Sequence, residues 1–187
     1  MRLVETALPE VVVLEPLVHE DHRGFFMESY NLRTLSALGI GHHFVQDNHS
    51  RSRRGVLRGL HFQLRHPQAK LVRATRGRVF DVAVDIRVGS PHFGRWAGAE
   101  LSEDNHRMLF APEGFAHGFL VLSEVAEFQY KCSDFYDPTD ELGIVWDDPA
   151  IGIDWPLGEI EPILSERDLR WGTLASMDAG SLPRYQP

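Results

Sequence analysis

Four places in the chain hold side chains able to move a proton or hold an anion. The first is Leu57-Arg58-Gly59-Leu60-His61-Phe62-Gln63, where an imidazole sits between apolar neighbours. Neutral imidazole is a competent base near neutral pH, although a histidine in such a strand also serves as a plain core or rim residue. Strict alternation sets Gly59, His61 and Gln63 on one face and Arg58 on the other. Arg58 then shares a pocket with His61 only through a bulge at Gly59 or at a strand end. The second place is Pro112-Glu113-Gly114-Phe115-Ala116-His117-Gly118-Phe119, a turn entering a strand that carries His117. The third is Tyr130, on the apolar face of its strand, whose hydroxyl needs a partner in the protein or in a ligand. The fourth is Ser165-Glu166-Arg167-Asp168. Its spacing suits a helix start resembling a capping box. It equally suits an aspartate folded back on a histidine, fixing the tautomer and raising the basicity.

The elements that must position these groups are mostly strands. Val11–Leu14 is a β-branched run ended by Pro16. Phe80, Val82, Val84 and Ile86 alternate with Asp81, Ala83, Asp85 and Arg87, a period of two. Ala126, Phe128, Tyr130 and Cys132 alternate with Glu127, Gln129 and Lys131, and Phe115, His117, Phe119 and Val121 share a face. Turns such as Arg76-Gly77-Arg78 and Val88-Gly89-Ser90-Pro91 separate the runs. A short helix is predicted over Asn31–Leu38, with Asn31 as N-cap and Gly39 just past its end. A second helical turn is predicted from Ser165, and the last ~12 residues are expected to be loosely ordered. Many short strands with Gly/Pro turns predict an all-β sandwich or jelly roll. With 187 residues, one domain over 1–187 is expected.

Charge and composition narrow the function. The net charge is −8, yet residues 51–95 hold eleven Lys and Arg against two acids, Asp81 and Asp85. An acidic protein is a poor nucleic-acid coat, whereas a local basic block suits a small anion such as a phosphate ester. Pairing of that block with the acidic remainder is the other reading. Lys70 and Lys131 are the only lysines; the remaining basic residues are arginines, which favour bidentate phosphate contacts. One cysteine, Cys132, rules out an intrachain disulfide and a thiolate metal site, and fits a reducing, cytoplasmic setting. The opening residues carry Glu5 and Glu10 and no long apolar core, so no signal peptide is expected. No apolar run reaches the ~20 residues of a membrane-spanning helix.

The segment Pro112-Glu113-Gly114-Phe115-Ala116-His117 resembles the second conserved motif of the cupins. A metal-binding cupin also needs an HxH pair and a carboxylate. Here the corresponding stretch reads His61-Phe62-Gln63, a poor divalent site, so no metal and no cofactor are expected.

Further segments extend the likeness. They are Asp21 to Glu28, Phe44 to Asn48, Gly55 to Gln63, Gln68 to Val72, Phe80 to Arg87, Pro112 to Phe119, Tyr130-Lys131 and Ile153 to Pro156. Taken in order from Val11 to about Trp171, they closely resemble the dTDP-4-dehydrorhamnose 3,5-epimerase family. The resemblance implies a cupin-type jelly-roll barrel with a few short helices, working as a homodimer on a dTDP-sugar. It implies inversion at C3 and C5 of dTDP-4-dehydro-6-deoxy-glucose, as a step toward dTDP-L-rhamnose. His61 corresponds to the general base, Asp168 to its partner, Tyr130 to the general acid, and Lys70 to the lysine beside the C4 oxygen. Tyr136 corresponds to the aromatic residue that stacks on thymine. Arg23, Glu28, Gln46, Asn48, Arg58, His117 and Glu141 correspond to nucleotide-sugar contacts. Arg23, Phe26 and Glu28 would come from the partner subunit. Arg167 stands where members often carry lysine, which keeps the charge and changes its geometry. C3-only epimerases, sugar 3,4-ketoisomerases and a non-catalytic sugar-nucleotide-binding barrel are the rival readings.

Overall fold

The computed structural model describes residues 1–186. Among them the strands run in chain order as β1 (Arg2–Glu5), β2 (Val12–Glu15), β3 (Val18–Asp21), β4 (Gly24–Met27), β5 (Gln46–Arg53), β6 (Leu57–Gln63), β7 (Lys70–Arg76), β8 (Arg78–Asp85), β9 (Trp96–Ser102), β10 (Met108–Ala111), β11 (Phe115–Val121), β12 (Val125–Cys132) and β13 (Glu141–Gly143). One helix, α1 (Leu32–Ala37), precedes β5, and short 3-10 turns follow β13. The Asn31 side chain accepts from the backbone N–H groups of Arg33 and Thr34, as its N-cap position predicts.

Two antiparallel sheets face each other as a jelly roll. The six-stranded sheet has the order β1-β2-β10-β7-β12-β5, and the five-stranded sheet β13-β6-β11-β8-β9. The β3–β4 hairpin pairs only within itself. This is the all-β, cupin-like architecture expected from the sequence. No helix among the described residues is long and apolar enough to cross a membrane.

The five-stranded sheet is covered on both faces, and the six-stranded sheet on its inner face and part of its outer one. Between them pack Val72, Val79, Ala83, Leu109, Phe119 and Phe128. Outside the five-stranded sheet, Val82, Val84, Ile86 and Leu120 are covered by the later segment bearing Ile151, Trp155, Leu174 and Leu182. Outside the six-stranded sheet, Leu71, Met108 and Phe110 lie under Leu35 of α1 and Ile40. The alternation of β8 is therefore real, but neither of its faces is wet. Its apolar stripe packs outward, while the Asp81 side sits within the barrel, and Asp81 and Asp85 are fully buried.

The last residues correct one expectation. Leu182 is buried, the Val88 N–H donates to the Pro183 carbonyl at 2.8 Å, and the Tyr185 N–H to the Val88 carbonyl at 3.1 Å. Apolar burial and these backbone bonds hold the segment down through Tyr185; Pro187 lies outside the described residues. Arg87 anchors the same region. Its guanidinium bonds Asp85 and Glu10 at 2.7 Å and lies over the rings of Phe115 and Tyr185 at 4.5 and 5.0 Å. Removing one partner of a buried pair strands the other charge. Arg87→Met is expected to cost about 3–5 kcal/mol through the uncompensated Asp85 carboxylate, read as a lowered urea midpoint with unchanged slope.

Candidate active site

One cavity of about 290 Å³ opens between the two sheets and gathers most of the chemistry-bearing residues. The five-stranded sheet contributes Arg58, His61, His117 and Glu141, and the six-stranded sheet contributes Gln46, Asn48, Lys70, Tyr130 and Cys132. Tyr136 and Arg167 close one side from loops.

Arg58 and His61 reach this cavity together because β6 carries an extra residue. His61 pairs with His117 and Arg58 with Phe119, so β6 advances three residues where β11 advances two. Of the two routes that alternation left open, a bulge or a strand end, this is the bulge, and it turns Arg58 to the face of His61. Two glycines permit it. Gly59 has φ +116°, and a Cβ there would lie 2.6 Å from Gly118 Cα. A Cβ on Gly118 would lie 2.6 Å from the Arg58 carbonyl oxygen.

Behind His61 stands Asp168, with Oδ1 2.6 Å from His61 Nε2. Ser165 Oγ donates to Asp168 Oδ2 at 2.9 Å and accepts from the Asp168 N–H at 3.1 Å. Both readings of this segment thus hold at once: Ser165 organises the turn, and the turn delivers the carboxylate. Burial pushes the Asp168 carboxyl up, but hydrogen bonds from His61 and Ser165, with the indole of Trp171 close by, outweigh it and keep the group below its usual range. With Nε2–H donating to Asp168, Nδ1 is the free ring nitrogen. It lies 3.7 Å from Glu141 Oε1. Glu141 is itself held by the Arg167 guanidinium and by the Tyr136 hydroxyl, which donates at 2.9 Å.

Tyr130 comes from the opposite sheet. Burial, reinforced by Cys132 and Glu141, pushes its phenol up to about 12, so it keeps its proton throughout the neutral range. Lys70 neighbours Cys132 across the β7–β12 ladder, and burial drives its ammonium below the ordinary lysine range. Lys70 and Arg58 form no ion pair among the described residues, and the Arg58 guanidinium bonds only Ser52 Oγ, at 3.2 Å. The cavity therefore holds two cations free for an anion. By contrast Arg65, Arg76, Arg78 and Arg87 pair with acids, so both readings of the basic block apply, each to its own residues.

Apart from Asp168, which backs His61, three sequence candidates lie outside this cavity. Arg23 pairs with Asp21 of its own hairpin, Phe26 is 73% exposed, and Glu28 bonds Asn31 and Thr34 at the start of α1. The self-contained hairpin has no strand joining it to the cavity walls. Sequence reasoning left out Asp81, whose buried carboxylate takes His117 Nε2 at 3.0 Å. The alternation of β8 placed Asp81 on one stripe but gave no signal that this stripe faces the barrel interior. Gln68, Phe128 and Cys132 also line the cavity, and the last two share the stripe of Tyr130. Gln63 bonds the backbone of His66, Phe135 and Asp137, which makes it a loop fastener.

The model of the family described as dTDP-4-dehydrorhamnose 3,5-epimerase matches residues 5–176. The chain belongs to that family. A 3,5-epimerase of this family from Pseudomonas aeruginosa is 57% identical, over 95% of this chain and 98% of the relative. A solved dTDP-6-deoxy-D-glucose-3,5-epimerase from Legionella pneumophila, in complex with dTDP-4-keto-L-rhamnose, superposes with a TM-score of 0.97. It is 51% identical, over 100% of this chain and 99% of that one. A 3'-monoepimerase from Streptomyces bikiniensis, in complex with dTDP-quinovose, has a TM-score of 0.89 and 37% identity, over 96% of this chain and 92% of that one. The family resemblance read from the ordered segments is borne out.

The bulge is open to direct test. Gly118→Ala places a methyl against the Arg58 carbonyl and forces β6 and β11 apart. The expected cost is about 1–3 kcal/mol in chemical denaturation, with displaced imidazole resonances of His61.

Proposed function

We propose that this protein is a dTDP-4-dehydrorhamnose 3,5-epimerase. It inverts C3 and C5 of dTDP-4-dehydro-6-deoxy-glucose, giving dTDP-4-dehydro-L-rhamnose for dTDP-L-rhamnose synthesis, without metal or organic cofactor. The observation that carries the reading is the His61–Asp168 pair on one wall of the cavity, with protonated Tyr130 on the other.

The hydrogens at C3 and C5 lie α to the C4 ketone. His61 removes one from one face, leaving an enolate whose charge rests on O4. Asp168 stabilises the imidazolium that forms, and Tyr130 returns a proton to the opposite face. General acid–base transfer of this kind contributes roughly 10²–10⁴-fold. Lys70 meets the enolate oxygen, and a preorganised donor at such an oxyanion is worth roughly 10²–10³-fold. Arg58 holds the diphosphate, with Gln46, Asn48, His117, Glu141 and Arg167 contacting the nucleotide-sugar and Tyr136 stacking on thymine. Remote binding energy of this kind places the sugar against the base.

The protein acts as a homodimer, one domain per subunit, in the cytoplasm; it engages neither nucleic acid nor membrane. Arg23, Phe26 and Glu28 reach into the partner's cavity. The support is a hairpin that pairs only with itself and exposes Phe25 and Phe26.

Proton NMR of dTDP-4-dehydro-6-deoxy-glucose with the enzyme in D₂O tests the reaction. Loss of both H3 and H5 signals with growth of the L-configured product supports it. Loss of H3 alone assigns a 3-epimerase, and an unchanged spectrum removes the reading. His61→Ala is expected to lower turnover by at least ~10²-fold with nucleotide binding kept. Tyr130→Phe is expected to lose net inversion while solvent exchange persists.

The alkaline side of the rate profile separates two residues. Loss of the Lys70 proton removes the charge beside O4, so activity falls as pH rises through its lowered value. Lys70→Arg, charged at all accessible pH, should move that limb of kcat upward. An unmoved limb would assign it to another group.

A further inference from the structure

Trp171 ends the 3-10 turn Asp168–Arg170, three residues beyond the aspartate that meets His61. Its backbone is extended there, and Gly172 accepts a bond from the Val145 N–H at 2.9 Å, which returns the chain to the edge beside β13. The indole then lies flat on Gly143. A Cβ built on Gly143 would fall 2.5 Å from both Cε2 and Nε1 of Trp171. Gly143 is the cross-strand partner of His61. Paired residues of antiparallel strands point to the same face, about 4.5–5.5 Å apart at Cβ. The indole therefore occupies the space of the side chain that Gly143 lacks, on the face of His61 and next to Asp168.

Its polar atom has no other use in the structure. Trp171 Nε1–H is buried and completes no hydrogen bond. A buried donor left unmade costs free energy and calls for a reason. The nearby group on which it bears is the Asp168 carboxyl, which it helps to keep ionised. Hydrogen bonds around catalytic groups are often long in the unliganded enzyme and tighten in the reacting complex.

We infer that Trp171 is a positioning residue for the proton-transfer pair: seated in the Gly143 gap, its indole N–H closes on the Asp168 carboxylate during turnover and fixes it opposite His61. This rests on the reading of His61 as base and Asp168 as its partner. Asp168 is then gripped from two sides, by Ser165 Oγ and by the indole, with one oxygen left for the imidazole.

Replacing Trp171 by 3-benzothienylalanine keeps the bicyclic ring and removes only the N–H; Trp171→Phe is the encoded counterpart. Either change is expected to lower kcat roughly tenfold, the worth of one hydrogen bond to a charged group, with KM for the dTDP-sugar little changed. The acid limb of kcat/KM should move to higher pH, because a carboxylate relieved of one donor draws the shared proton more strongly. Gly143→Ala, which crowds the indole from its seat, should give the same displacement. A residue that only fills space would lower stability and leave the limb in place. Wild-type kcat with an unmoved limb in the benzothienyl protein, while Asp168→Asn remains impaired, overturns the inference and leaves the base assignment standing. An Asp168→Asn enzyme at the wild-type rate overturns both.

Discussion

The local misfit between β6 and β11 is the constraint on which the site depends. Were β6 paired through Gly59 in strict alternation, with no bulge, Arg58 would point outward into the apolar layer containing Leu57, Leu60 and Leu120. A guanidinium without a partner there would be costly. With the bulge, a cation and an imidazole three residues apart share one cavity. The two strands can approach this closely only because Gly59 faces Gly118 with no side chain on either. The chemistry thus rests on two missing methyl groups as much as on any charged residue.

A polar interior between two sheets has to be stabilised elsewhere. Here the apolar stripe of β8, with Ala116 and Leu120 of β11, turns outward under the later segment, and α1 covers part of the other sheet. Burial outside the barrel offsets the polar space inside it. Each buried acid has its own compensation. Asp81 faces His117, Asp85 faces Arg87, Asp168 faces His61 and Ser165, Asp140 faces Arg65, and Asp148 accepts from the N–H groups of Ala150 and Leu174. Against that pattern Arg58 and Lys70 stand out as cavity cations with no acidic partner among the described residues.

Periodicity made the strands legible, since a stripe such as Ala126, Phe128, Tyr130 and Cys132 has one physical explanation. It also placed Tyr130 inward and located the helix through Asn31. It did not tell which stripe of β8 was interior, because both faces are dry and alternation carries no label for the barrel side. Alternation left two ways to bring Arg58 beside His61, a bulge at Gly59 or a strand end, and the structure takes the first. Asp168 came from family resemblance, since local spacing served a turn start equally well. Trp171 gave no signal, because its role depends on a glycine 28 positions earlier in the chain. The order of the last residues was missed because Leu182 alone is a weak apolar cue.

His61 and Asp168 lie 107 residues apart in the chain. A ribosome adding about 5–20 residues per second therefore makes the imidazole roughly 5–20 seconds before its carboxylate exists. Until the later segment folds back over the five-stranded sheet, the nascent protein holds a histidine with no partner and a barrel open along one side. Any nucleotide-sugar that met it then would find cations to bind and no competent base. On the proposed roles of His61 and Asp168, proton-transfer capability thus arrives with the last part of the fold.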